Sequence, residues 1–122
     1  CAALVSCGWR LLSDELTMIS LNDCSVLPLP RPISLKNESI EVIKDFCSSY
    51  FIGRVAHDTL KGTVAHMRAP ADDIQRSCET AQPAWIVFPK YLAGSELMFE
   101  PYSRGEGTIR LIKNSFNYSI LN

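Results

Sequence analysis

Two acidic residues stand side by side in the stretch "GWRLLSDEL", residues 8–16. Asp14 and Glu15 follow an apolar run with the character of a strand. A carboxylate at the end of a strand can hold Mg²⁺ directly or through water, and its neighbour can take a proton from an attacking hydroxyl. This pair would suit phosphoryl transfer. Spacing alone leaves a second interpretation open, a solvated turn, because adjacent acids also occur in ordinary turns.

Basic residues that could meet a phosphate occur in two segments. Lys61 precedes Gly62 in "TLKGT", where the glycine lets the backbone approach an anion closely. Arg31 and Lys36 flank the rigid segment that contains Pro32, and they could contact the same anion. A solvated surface is the alternative for each of these residues.

The two histidines and a second acidic pair carry weaker signals. His57 and Asp58 have the residue types of a general base and its orienting acid, but adjacent residues on an extended segment point apart. His66 is expected to be a hydrogen-bonded sheet residue. Asp72 and Asp73 are expected to cap the start of a helix.

Several familiar signatures are missing from the 122 residues, among them GxxxxGK[ST], GxGxxG and HExxH. The five cysteines form no CxxC pair, which argues against a structural zinc site. Their odd number, in a sequence with no stretch that resembles a signal peptide, favours reduced thiols in a cytoplasmic protein. We expect them to behave as small buried hydrophobes.

The bulk composition is that of one ordinary domain. Hydrophobic residues make up 47% of the chain and charged residues 20%, which excludes a disordered polypeptide. The net charge is −1 with no concentrated basic patch, so we expect no nucleic-acid partner. The apolar runs are far shorter than the ~20 residues that span a bilayer, and we expect no membrane association.

Hydrophobic periodicity predicts the order helix, strands, helix, strands, helix, which fits an α/β domain with a mixed sheet flanked by helices. Residues 1–6 have the composition of a helix end, terminated by Gly8. The spacing of Ile40, Ile43 and Phe46 predicts a second helix, for which Asn37 is the expected cap. The predicted strands, of which the apolar ones should be central, are residues 9–13, 16–21, 63–67, 84–91 and 96–102, with a loop at residues 57–62.

Prolines at positions 28, 30 and 32 rule out a helix and a central strand, and they predict a rigid, extended connector at an edge or over a surface. Near the C-terminus, Ser103 and Glu106 match a capping box. They predict a helix over residues 103–120.

The segment 8–16, after an Ala-rich helix, resembles the segment that follows the P-loop helix in HPr serine kinase/phosphorylase enzymes. There, a glycine and a basic residue precede a strand that ends in two acids. The stretches "PRPISLKNESIEVI", "HDTLKGTVAHM" and "IKNSFNY" resemble more specifically the HPr-kinase-related kinase A proteins. The resemblance covers essentially the whole chain, and the first of these stretches is its most specific part.

The resemblance implies an ATP-dependent kinase core of the P-loop type shared with phosphoenolpyruvate carboxykinase. Asp14 and Glu15 would align with the family's acidic pair, which serves Mg²⁺ binding and activation of the acceptor hydroxyl. Lys61 and Gly62 would match an Arg-Gly signature. Here Glu15 replaces the usual Asp, and Lys61 replaces Arg, which removes the planar bidentate fork.

The family's phosphate-binding loop is not among these residues. Residues 1–122 are therefore expected to be the C-terminal part of a single kinase domain whose parent transfers the γ-phosphoryl group of ATP to a hydroxyl, with a serine on a partner protein as acceptor. The chain alone is expected to bind ATP poorly and to associate through exposed apolar surface, giving a homo-oligomer. Two alternatives stay open: a non-catalytic binding or regulatory module on the kinase scaffold, and a kinase acting on a small alcohol.

Overall fold

The computed structural model describes residues 1–119, and the chain divides into two units, residues 1–87 and residues from 88 onward. The first unit is a small mixed α/β domain with two antiparallel sheets. The helices of the described chain are α1 (Ala2–Ser6), α2 (Ser39–Phe46), α3 (Ala71–Gln75) and α4 (Arg104–Lys113). The strands are β1 (Met18–Ile19), β2 (Val26–Leu27), β3 (Ile33–Lys36), β4 (Ala56–Thr59) and β5 (Gly62–Met67). Over residues 1–119, no helix has the length and apolar character needed to cross a membrane.

The larger sheet carries the core of the first unit. Its strand order is β3-β5-β4, with antiparallel neighbours throughout. Alternation along β3 and β5 turns one face inward, where α1 and α2 cover it. The buried residues of this core include Val5, Leu11, Ile33, Leu35, Ile40, Ile43, Ala65 and Met67.

The proline segment behaves as predicted. Residues 28–32 connect β2 to β3 in an extended path, and β3 is an edge strand. An edge position is where prolines are tolerated, because no ladder hydrogen bond is lost there.

Gly8 ends α1, as the sequence predicts. Its φ of 88° lies in the left-handed region that glycine adopts without strain. The amide of Trp9 donates to the carbonyl of Leu4 at 3.0 Å, and the amide of Gly8 donates to that of Val5 at 2.9 Å. These two bonds form a Schellman motif, which turns the chain toward the acidic pair.

The prediction that Asn37 caps α2 is wrong. The N-cap residue is Glu38, and it makes no side-chain cap hydrogen bond. Asn37 has a φ of 50°, and its side-chain oxygen accepts instead from the amide of Thr63 at 3.1 Å. The predicted helix itself is confirmed, with Ile40 and Ile43 buried, whereas Phe46 is 57% exposed.

The predicted loop at residues 57–62 is also wrong. β4 continues to Thr59, and a two-residue turn at Leu60 and Lys61 joins it to β5. The Thr59 hydroxyl donates to the carbonyl of Gly62 at 2.6 Å and accepts from the amide of Lys61. The polar composition of this segment favours a loop. The strand forms because its backbone pairs with β5, which composition does not indicate.

The strands predicted at residues 9–13, 84–91 and 96–102 are absent from the described chain, and the apolar runs supply no central strands. Within the predicted strand at 16–21, only β1 forms, paired with β2. Trp85 is 81% exposed. An apolar or alternating run forms a strand only where a second strand pairs with it. The pairing nearest residues 84–91 is a single bridge between Val26 and Ala81, which lies just before that run.

The cysteines are free thiols, but the prediction that they are buried is wrong. Cys1, Cys7, Cys24 and Cys78 are exposed and Cys47 is half-buried, because they fall at helix ends and in turns. The Cys47 sulfur lies 3.0 Å from the Ser49 hydroxyl. That hydrogen bond lowers the pKa of the Cys47 thiol.

In the second unit, α4 begins with the predicted capping box. The amide of Glu106 donates to the Ser103 hydroxyl oxygen, and the amide of Ser103 donates to the Glu106 carboxylate, both at 3.3 Å. The Arg110 guanidinium lies 4.3 Å from the centre of the Tyr102 ring. The helix ends at Lys113, before the predicted residue 120, and a short 3₁₀ helix follows at Phe116–Ser119. Residue 120 lies outside the described residues.

Candidate functional site

An open cleft of about 620 Å³ lies against the polar face of the larger sheet. It brings together four of the six predicted site residues from three separate parts of the chain. These are Asp14, Glu15, Arg31 and Lys61. The other lining residues are Ser13, Leu16, Leu29, Pro32, Ser34, Arg54, Ala56, Thr59, Val64 and His66.

Asp14 is fixed in this cleft by the edge strand. The backbone amide of Ser34 donates to Asp14 Oδ2 at 2.9 Å. Ser34 lies directly across from His66 in the β3–β5 register, so the two side chains share a face of the sheet. The carboxylate is thereby held at the cleft through Oδ2, which leaves Oδ1 for a ligand.

The segment before Asp14 is hydrogen-bonded to α3 and to the residues that follow α3. Asp73 is only 7% exposed, and its carboxylate accepts from the amide of Leu11 at 2.8 Å. The expectation that this acid caps α3 is wrong, because the N-cap is Pro70 and Asp73 makes its hydrogen bond to Leu11. Its neighbour Asp72 is exposed and makes no capping hydrogen bond either.

The Arg10 guanidinium completes this attachment. It donates to the carbonyl of Arg76 at 2.7 Å and to that of Glu79 at 2.6 Å. A guanidinium presents several N–H donors in a fixed plane, so it can donate hydrogen bonds to two carbonyl groups at once. The backbone leading to Asp14 is therefore anchored before the cleft begins.

The other charged side chains of the cleft are available to a ligand. Glu15, Arg31, Arg54 and Lys61 are exposed, and within residues 1–119 their side chains make no hydrogen bond or ion pair. Three cations and two carboxylates thus line the same cleft. This is the combination that phosphate oxygens and a divalent cation together require.

Arg54 is a cleft residue that the sequence did not indicate. The amide of Gly53 donates to the carbonyl of His66 at 2.9 Å, and the amide of Arg68 donates to that of Phe51 at 2.9 Å. These bonds hold the segment before β4 alongside β5 and place Arg54 at the cleft. No local motif marks Arg54, since its position depends on bonds between residues 13 and 17 positions apart in the chain.

Lys36 and Gly62 lie outside the cleft lining. Lys36 is exposed at the end of β3, where its amide donates to the Ser39 hydroxyl. Gly62 has a φ of 83°, and a Cβ at this position would lie 2.5 Å from Asn37 Oδ1. The geometry of the hairpin therefore favours glycine at position 62.

The histidines are separated by the sheet geometry. His66 lines the cleft beside Ser34, whereas His57 lines a second, shallow cleft with Glu38 and Glu41. His57 and Asp58 are accordingly not brought to the acidic pair.

Within residues 1–119, the protein offers few side chains that could bind a metal ion in this cleft. Over the described residues, no group of three or more His, Cys, Asp and Glu side chains is arranged to hold one. Mg²⁺ is usually bound through one or two carboxylates, with water and phosphate oxygens completing its octahedron. Asp14, with one free carboxylate oxygen, and exposed Glu15 fit that mode.

Comparison of the chain with protein-family models, with curated proteins and with solved structures finds no match. The family resemblance therefore stays a prediction that rests on the sequence motifs.

Proposed function

We propose that the cleft is the metal-binding and acceptor side of a phosphotransferase site of the HPr serine kinase type, within a P-loop kinase fold like that of phosphoenolpyruvate carboxykinase. One observation carries the proposal: Asp14 and Glu15 share a cleft with three cations that have no partner within residues 1–119. The sequence resemblance assigns the same acidic pair to that role.

In this proposal the side chains divide the work of moving a γ-phosphoryl group from ATP to a hydroxyl. Mg²⁺, when bound, neutralises developing charge on the phosphate oxygens. Asp14, with Glu15, would hold the metal. Glu15 or Asp14 orients the acceptor hydroxyl and takes its proton as the oxygen attacks the γ-phosphorus, and the bond from that phosphorus to the ADP oxygen breaks so that ADP leaves. Lys61, with Arg31 and Arg54, meets the negative charge of the phosphates.

The phosphate-binding loop is not part of these residues, since the 122 residues contain no GxxxxGK[ST]. In phosphoryl transfer the protein mainly positions groups and stabilises charge. We therefore expect the chain alone to bind ATP poorly, and the parent protein to supply that loop.

The test is ATP turnover in a chain that includes the sequence upstream of Cys1. Asp14→Asn should abolish transfer because the metal loses a charged ligand. Asp45→Asn, which changes an exposed acid outside the cleft, is the matched control. Equal rates for wild type and Asp14→Asn would refute the proposed role of the acidic pair.

A non-catalytic binding or regulatory module is the second candidate. Glu15 and Lys61 in place of the family's Asp and Arg favour it, because both substitutions alter groups that should contact the reacting phosphate. Such a module would bind phosphate or nucleotide without turnover. An upstream sequence that lacks GxxxxGK[ST] would support this candidate.

A further inference from the structure

We propose that buried Asp73, assisted by Arg10, is a positioning residue that sets where Asp14 and Glu15 stand in the cleft. Asp73 does not line the cleft, and its carboxylate accepts its hydrogen bond from Leu11 rather than from the acidic pair. Its proposed effect on metal binding rests on the proposed function, whereas its effect on the position of Asp14 does not.

The hydrogen bonds connect α3 to the acidic pair over a short distance. Asp73 accepts from the amide of Leu11, and Asp14 accepts from the amide of Ser34. Only Leu12 and Ser13 lie between Leu11 and Asp14, and three residue steps span at most about 10 Å even when the chain is fully extended. The segment 11–14 is therefore held at both ends, and between them the amide of Leu29 donates to the carbonyl of Leu12 at 2.7 Å. Loss of the bond at Leu11 is expected to loosen the position of Asp14.

Arg10 adds hydrogen bonds between this segment and the residues that follow α3. Its side chain is 19% exposed and donates to the carbonyls of Arg76 and Glu79, while a second nitrogen lies 3.7 Å from a Glu79 carboxylate oxygen. Residues 10 and 11 are thus joined to residues 73–79 by three hydrogen bonds. These bonds hold the backbone just before the acidic pair against the residues of and after α3.

The chemistry of Asp73 explains why an acid occupies this place. A buried carboxylate is costly unless its oxygens are hydrogen-bonded. The amide of Leu11 supplies such a bond. Asp72 lies in the same turn but is exposed, so it provides a matched control.

The amide of Ser34 reports directly on the position of Asp14. Its hydrogen exchange, measured by NMR in the 122-residue chain, should accelerate by about tenfold or more in Asp73→Ala, the change expected when a hydrogen bond to a charged acceptor is loosened. Asp73→Asn keeps an acceptor oxygen and should preserve the protection. Asp72→Ala should leave it unchanged. Equal exchange at Ser34 in Asp73→Ala and Asp72→Ala would overturn the proposal.

Arg10→Met keeps the test decisive if Asp73→Ala does not fold. It removes the two bonds to the carbonyls of Arg76 and Glu79 but retains much of the apolar stem. Arg68→Met, at an exposed arginine outside the cleft, is its control. Faster exchange at Ser34 in Arg10→Met alone supports the proposal, and equal exchange in both variants overturns it.

Mn²⁺ binding, followed by electron paramagnetic resonance, separates this inference from the proposed function. Asp14→Asn should weaken binding, and Asp73→Ala should weaken it by about tenfold to a hundredfold, the usual effect of losing a residue that orients a metal ligand. Unchanged Mn²⁺ binding in Asp14→Asn would refute the metal role of the acidic pair, and exchange at Ser34 would still decide the positioning role. Weakening in Asp14→Asn but not in Asp73→Ala would overturn the positioning role alone.

Discussion

Ser34 donates its backbone amide to Asp14 Oδ2 at 2.9 Å, and this bond joins the acidic pair to an edge strand. An edge strand presents amides that have no partner within the sheet. Asp14 satisfies one such amide and is itself held in place by it. Asp14, Ser34 and His66, which lies across from Ser34 in the register, line the same cleft.

The first prediction concerns the stability supplied by this bond. Asp14→Ala should lower the free energy of unfolding by about 1–2 kcal/mol, because the half-buried amide of Ser34 loses its charged acceptor. Asp14→Asn retains an acceptor and should cost less. Glu15→Ala, which removes an exposed side chain, should change stability by less than about 0.5 kcal/mol. Urea unfolding of the three variants measures the difference, and equal midpoints for Asp14→Ala and Glu15→Ala would contradict it.

Arg54 gives a prediction about anion binding. Arg54→Gln should weaken the binding of inorganic phosphate by about tenfold, since a charged, bidentate donor is replaced by a neutral amide. Titration followed by NMR shifts of cleft residues measures the affinity. Arg68→Gln removes the same charge outside the cleft and should have little effect. A similar loss in both variants would mean that net charge, rather than the cleft, attracts phosphate.

Gly62 gives a prediction about the hairpin. Gly62→Ala should destabilise the chain by about 1–3 kcal/mol, because alanine is strained at a φ of 83° and its Cβ would lie 2.5 Å from Asn37 Oδ1. Gly105→Ala, in α4 with no atom within 4 Å of the added Cβ, should be neutral or slightly stabilising. Thermal unfolding compares the two, and a neutral Gly62→Ala would show that the turn adapts.

The capping box of α4 gives a prediction about pH. Hydrogen bonds from the Ser103 hydroxyl and amide, with the charge of Arg110 nearby, lower the pKa of Glu106 below its usual value. A carboxylate whose pKa is depressed by folding stabilises the folded form above its unfolded pKa, and that contribution is lost as the pH falls through the folded pKa. Helix α4 should therefore fray on the acid side of the usual glutamate pKa.

Far-ultraviolet circular dichroism during acid titration measures this fraying. Glu106→Gln should remove this component of the pH dependence, whereas Glu100→Gln, at an exposed acid outside the capping box, should not. Identical acid titrations of wild type and Glu106→Gln would exclude the capping box as the source.

Local features of the fold follow from the sequence. Gly8 ends α1, Ser103 and Glu106 start α4, and the prolines produce an extended segment beside an edge strand. Each depends on backbone geometry or on hydrogen bonds between residues close in the chain. The α/β class was predictable from the periodicity and order of the elements, whereas the predicted mixed sheet was wrong, because the described strands pair only antiparallel. The apolar run at residues 84–91 misled the prediction, because apolar character does not specify which partner a segment will find.

The sequence by itself determined the residue types available for chemistry, above all Asp14 beside Glu15, and the local signals that begin and end elements. Only the tertiary structure decided which of them meet. It placed Arg31 and Lys61 in the cleft, left Lys36 and Gly62 outside its lining, and brought in Arg54. The physical reason is that strand register and buried hydrogen bonds, such as that from Leu11 to Asp73, join residues far apart in the chain.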